Sequence, residues 1–302
     1  MAYPDDEPPP RAPRDSATAV ACSMAVVVGL SLAVLAGGGD QIDGSAGPAS
    51  APAPVLAAKV PEPARPATPD PRRVYELDTN PLLDGKIRLG DVACDLPPLT
   101  REPLPLTAFH EAAVACLDEA WSPAISAAGA PFEPVTLDFS TDAVGGCGPA
   151  PVAEQATAYY CDVDQTIVMP HDRMLAHLGV DGTAHLALLA HEYGHHVQSM
   201  SGISGALADL EIGLATVEEE VEPTRRMELQ ANCFAGLFLA AAAGRGSLSG
   251  GQAEAAVGVF RSTTADARHG THDSQIAWAR AGFDGRSAVA CNTWIAPADQ
   301  VR

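Results

Sequence analysis

The sequence predicts an α+β fold, mainly helical, with a small β-sheet towards the N-terminal end of its folded part. Three observations carry this. "PVTLDFS", residues 134–140, alternates apolar and polar like a half-buried strand, and "AYYCDVDQTIVMP", residues 158–170, reads as two strands around an Asp-rich turn. The segments around them repeat apolar residues at three- and four-residue steps, as helices do. Strands early and helices late suggest α+β rather than an alternating parallel sheet. With 302 residues, 47% of them hydrophobic, the chain has ample material for one large core or two small ones. A net charge of −20 argues against a nucleic-acid partner, because phosphate recognition needs clustered Lys and Arg.

Four regions follow in order. Residues 1–15 are a short tail rich in proline and charge. Residues 16–38 are uncharged and centre on "AVACSMAVVVGLSLAVLA", long enough for a membrane-spanning helix of about 20 residues. Arg11 and Arg14 precede this stretch and no Lys or Arg follows until Lys59, so the positive-inside rule leaves the tail in the cytoplasm. The apolar run exceeds the usual signal-peptide core, which favours a single-pass anchor over a cleaved leader. Residues 39–73 are an Ala/Pro-rich linker too poor in large apolar residues to build a core. Residues 74–302 form the folded domain, expected outside the cytoplasm. Six cysteines lie beyond the anchor, an even number that suits disulfides in an oxidising compartment, although six allow 15 pairings.

Within the domain, Leu106, Phe109, Ala113, Cys116, Leu117 and Ala120 mark one face of a helix, and Ser122-Pro123 reads as the start of another. Thr183 is placed to cap a helix running through Gln198. Met227 to Ala243 is apolar nearly all round, as expected of a buried helix.

The chemistry concentrates in "HEYGHHVQ". His191 and His195 are four apart, hence neighbours on a helix, and two imidazoles so placed can hold one zinc ion. Glu192 sits about 100° round the helix, beside the metal rather than on it, where it can act as general base. This pattern, HExxH, has three fixed positions and arises often by chance. Here the preceding "HLALLA" buries the helix, and Gly194, costing about 1 kcal/mol against alanine, implies a close neighbour at the backbone. Glu228 lies in the apolar helix and needs a cation; zinc would make it a third ligand, while Arg225 or Arg226 offers a structural partner. Asn232 follows Glu228 by one turn, placed to accept a hydrogen bond from a ligand histidine. His196 and Tyr193 read as structural, and His110, His171, His177 and His185 as packing or surface residues. His269 either donates to a developing oxyanion or holds a turn.

The stretches "LDEAWSP", "CDVDQTIVMP", "HEYGHHVQ", "ELQANCFAG" and "HGTHDSQIAWARAGFDG", spread over about residues 74–294, resemble the bacterial neutral zinc metallopeptidase family, a membrane-anchored, gluzincin-like group. The resemblance implies a zincin-like fold, His191, His195 and Glu228 as ligands of a Zn2+ ion, and Glu192 as base. Together with cysteine order it implies the pairs Cys94–Cys116, Cys147–Cys161 and Cys233–Cys291. The family commonly has aspartate where this chain has Asn232, and Gln-Arg where it has Ser274 and Gln275. By analogy with zincins, Thr166–Met169 would line the cleft and pair with an extended substrate. The expected activity is peptide-bond hydrolysis at the outer face of the membrane, on a peptide or protein substrate. The rival is a zinc-stabilised envelope scaffold or binding module without catalysis.

Overall fold

Apolar periodicity from Leu106 onward builds α1, Pro103–Ala127, with Leu106, Phe109, Ala113 and Leu117 buried as the spacing predicts. The computed structural model describes residues 77–302. Pro123 does not restart the helix; α1 runs through it. A proline inside a helix costs about 3 kcal/mol. Burying Trp121 and Ile125 in the same turns contributes about 1.5–3 kcal/mol each, enough to offset that cost.

A helix therefore precedes the strands. These are β1 (Thr136–Asp138), β2 (Val144–Gly145), β3 (Gly148–Pro149), β4 (Tyr159–Cys161) and β5 (Thr166–Val168). They form a three-stranded sheet in the order β1-β5-β4 and a two-residue hairpin, β2-β3. β5 pairs parallel with β1 and antiparallel with β4.

Helices complete the domain: α2 (His171–Leu178), α3 (Gly182–Met200), α4 (Ile203–Glu211), α5 (Val217–Ala242), α6 (Gly250–Val259) and α7 (His272–Gly285). Asp181, not Thr183, caps α3; its Oδ1 accepts from the Thr183 and Ala184 backbone N–H groups and from the Thr183 hydroxyl. A carboxylate one residue before the first turn reaches those orphan donors, which a side chain already inside the turn cannot. α5 begins ten residues before the apolar run, with Thr216 as its cap and Glu218, Glu219 and Glu220 in the first turn, where the helix dipole favours them. α5 and α7 cross closely: a Cβ on Gly236 would overlap the Ala279 carbonyl, and one on Gly282 the Cys233 carbonyl.

The core is shared by α1, α3 and α5, with Trp121, Tyr193, Phe234 and Phe238 fully buried. Three disulfides join Cys94–Cys116, Cys147–Cys161 and Cys233–Cys291, the expected pairs.

The expected fold class needs correction. Among the described residues no helix is long and apolar enough to cross a membrane, so the architecture is a mostly helical domain with two small sheets and no membrane-spanning helix among them. The anchor expected at residues 16–38, with its flanking tail and linker, lies outside the described residues.

Candidate metal centre

Helical spacing places Ala184, Leu188, His191, Glu192 and His195 along one stripe of α3. The next face round the helix, with His191, Gly194, His195 and Gln198, meets α5. A Cβ built on Gly194 would lie 2.9 Å from the Ala231 carbonyl oxygen and 3.0 Å from its Cα. The missing side chain lets the two backbones touch, which brings Glu228 and Asn232, on either side of Ala231, to the histidines.

Three atoms converge there. The Nε2 atoms of His191 and His195 are 3.2 Å apart, and Glu228 Oε2 lies 3.3 Å from the first and 3.4 Å from the second. In a tetrahedral site, ligand atoms are separated by about 1.6 times the metal–ligand distance, so bonds of about 2.0–2.1 Å to zinc require about 3.3–3.4 Å. The triangle fits a zinc ion without rearrangement, and its donors, two imidazoles and a carboxylate, are those of open catalytic zinc sites.

Each of the two histidines is oriented from behind. His191 Nδ1 donates to Asn232 Oδ1 at 2.8 Å, as the position of Asn232 on α5 predicts. His195 Nδ1 donates to Gln198 Oε1 at 2.9 Å. The Gln198 contact is absent from the sequence reading; its only signal there is a polar residue three positions after a ligand on a buried face.

The two glutamates diverge electrostatically. Glu192 is 5% exposed, and burial raises its carboxyl pKa against the pull of His191 and His195. Burial also acts on Glu228, but His195 and His191 hold it well below the usual carboxylate range. Burial lowers His195, yet Glu228 outweighs it and raises the pKa to about 9. The pocket thus favours positive charge at the point where the three atoms meet. Ligand-type atoms of His191, Glu192 and His195 all lie within 4.8 Å of one another, so Glu192 stands close beside the two histidines.

A cavity of about 420 Å³ opens over the site, with Leu188, His191, Glu192, Glu228, Asn232 and His269 in its wall. His269 holds a turn, the second of its expected readings, and borders the cavity. Its Nδ1 and backbone N–H donate to Asp266 Oδ1 at 2.9 and 2.8 Å, which fixes that turn. His177 also lines the cavity, bonded through Nδ1 to the Thr157 hydroxyl at 2.7 Å.

The structural assignments of His196 and Tyr193 agree with the structure. His196 donates from Nε2 to the Glu133 carbonyl at 2.8 Å and accepts from the Tyr160 hydroxyl at 3.0 Å. Tyr193 is fully buried and donates to Asp118 at 2.6 Å. Thr166–Met169 does not line the cavity: β5 is the central strand, and β1 and β4 occupy both its edges. The segment Gln155–Ala158, leading into the edge strand β4, forms that wall instead.

A family model described as "Putative neutral zinc metallopeptidase" matches residues 102–294, which include every residue of the triangle and its supports. The chain belongs to this family. Family membership carries a peptidase role and zinc at the level of the group. The chain is 33% identical over 154 residues to the uncharacterized protein YpfJ of Escherichia coli (strain K12), covering 45% of this chain and 53% of that one. It is 32% identical over 127 residues to the uncharacterized protein Rv2575 of Mycobacterium tuberculosis (strain ATCC 25618 / H37Rv), covering 40% of each. The match thus spans about half the length of YpfJ or less of these relatives. No solved structure matches.

Proposed function

We propose that this chain is a zinc-dependent peptidase in which His191, His195 and Glu228 hold the ion and Glu192 is the general base. The observation that carries this is the triangle of ligand atoms, 3.2–3.4 Å on each side, with a second, buried carboxyl, Glu192, beside it. Zinc bound there supplies a Lewis acid that polarises a peptide carbonyl and lowers the pKa of water.

Glu192 takes a proton from the attacking water and passes it to the amine that leaves. Its raised pKa suits a group that must hold that proton between the two steps. In its doubly protonated form His269, fixed through Nδ1 by Asp266 and lining the cavity, donates from Nε2 to the carbonyl oxygen as that oxygen gains charge. The Gln155–Ala158 wall and the β4 edge align an extended substrate, since β4 has a strand partner on one side only among the described residues. Leu188 and Phe260 give the cavity an apolar face that excludes bulk water from the reacting bond.

The substrate is a peptide or protein, and the acidic chain is a poor partner for nucleic acid. Three disulfides support an oxidising, extracytoplasmic setting. A scaffold without catalysis has no need to bury a carboxyl such as Glu192 beside the ligands.

The test is incubation of zinc-loaded protein with an unfolded polypeptide. Cleavage that stops with chelator and returns with added zinc is expected. Zinc binding without cleavage of any unfolded polypeptide would favour the scaffold.

A further inference from the structure

A line of buried amides runs from the candidate metal site to a disulfide. Gln198 Nε2 lies 2.8 Å from the Met227 carbonyl oxygen and 3.0 Å from Gln230 Oε1. Gln230 Nε2 in turn lies 3.0 Å from the Cys291 carbonyl oxygen. Both glutamines are fully buried, so water cannot substitute for these partners.

Carbonyl oxygens only accept, and that decides every orientation along the line. Gln230 must donate to Cys291, which turns its own oxygen towards Gln198. Gln198 must donate to Met227, and its second hydrogen meets the Gln230 oxygen. Both hydrogens of Gln198 are then committed, and its Oε1 is left facing His195. An acceptor at that place requires the proton of neutral His195 to sit on Nδ1, which leaves the Nε2 lone pair at the corner of the triangle. A flip of either amide would set N–H against N–H or oxygen against oxygen inside the core, at the cost of a buried unsatisfied pair.

The line ends on rigid backbone. Cys291 is disulfide-bonded to Cys233 on α5, the helix that carries Met227, Glu228, Gln230 and Asn232. The segment after it is clasped to the same helix: Thr293 donates from its hydroxyl to the Arg226 carbonyl at 2.8 Å, and the Arg226 guanidinium bonds back to the Thr293 and Ala296 carbonyls.

We infer that Gln198 and Gln230 are positioning residues that act in series, with Gln230 setting the Gln198 amide and Gln198 setting the tautomer and aim of His195. This rests on the zinc reading of the triangle, but neither glutamine touches the point where the three ligand atoms meet. Acting in series has a consequence that a general structural role lacks: with Gln198 removed, Gln230 no longer influences the metal.

Zinc competition titrations against a chelator of known affinity test this on the full chain, using Gln198→Met, Gln230→Met and the double variant; methionine keeps length and helix preference. Loss of an outer partner typically costs about 10–100-fold in metal affinity, which is expected for Gln198→Met, with a smaller loss of several-fold for Gln230→Met. The double variant should match Gln198→Met within about twofold, because coupled residues are not additive. Full additivity, or wild-type affinity in Gln230→Met, would overturn the series. Should Gln198→Met fail to fold, Gln230→Met alone still decides, since it must weaken zinc binding while retaining the helical circular dichroism of the parent. A parent chain that bound no zinc would defeat the zinc reading and this inference together, whereas a tightly binding parent with indifferent variants defeats only the inference.

Discussion

Gly194 leaves no room for a Cβ against the backbone of Ala231, at the crossing of the helix that carries both histidines and the helix that carries Glu228. Alanine at 194 would gain about 1 kcal/mol of helix propensity. Its methyl group would meet backbone atoms, which cannot rotate away, and overpacking costs about 1–3 kcal/mol. Gly194→Ala is therefore expected to lower the thermal unfolding midpoint and weaken zinc binding together, by moving Glu228 away from the imidazoles. A variant with higher stability and unchanged zinc affinity would show that the helices are free to separate.

Glu192→Gln should retain zinc, because all three ligands survive, and lose about 10²–10⁴-fold in hydrolysis along with the proton acceptor. Rates on an unfolded polypeptide, measured beside a zinc titration, check both halves. Wild-type turnover would remove Glu192 from its role.

Asn232 accepts from His191 at 2.8 Å through a neutral amide. A carboxylate is the stronger acceptor, so Asn232→Asp should tighten zinc binding, and Asn232→Leu should weaken it by about 10–100-fold. The competition titration reads both, and equal affinities for all three proteins would remove Asn232 from the support of the metal.

His110 is fully buried, bonded from Nε2 to His185 Nδ1 at 3.0 Å and stacked near Phe139 and His171. Burial, then the neighbouring His185 and His171, depress its pKa from 6.5 to about 3. Asp172 and Asp181 pull His171 and His185 upward, but burial wins at both and leaves them low as well. The folded pKa lies below the unfolded one, so the unfolded chain takes up the proton first. The stability is complete above pH 6.5 and is lost as pH falls from there towards about 3. At about 1.4 kcal/mol per pH unit, His110 alone contributes on the order of a few kcal/mol to this acid sensitivity. Denaturant midpoints at pH 7 and pH 4.5 should differ less for His110→Gln than for the parent. An equal difference would place the acid sensitivity elsewhere.

Much of the site is legible in the sequence because its first part is local. His191, Glu192 and His195 are related by helix period alone, and any helix through them gives the same arrangement. Glu228 and Asn232 declare themselves as polar residues in an apolar helix, and the family resemblance adds Glu228 as the implied third ligand. The disulfide pairs likewise rest on cysteine order and resemblance, since spacing leaves every pairing open.

Other features depend on contacts between distant segments. α1 continues through Pro123 because Trp121 and Ile125 find a core, which local proline rules do not register. β5 looks like a cleft strand until β1 and β4 occupy both its edges.

The sequence by itself determined that His191 and His195 share one stripe of α3 with Glu192 beside them, an arrangement that suits zinc, because a helix repeats every 3.6 residues whatever surrounds it. Only the tertiary structure decided that Gly194 meets Ala231 and that Gln198 joins His195 to Gln230, which in turn bonds Cys291, residues far apart along the chain. Hydrogen-bond direction and backbone contact are properties of pairs, and which pairs meet is settled by packing of the whole core.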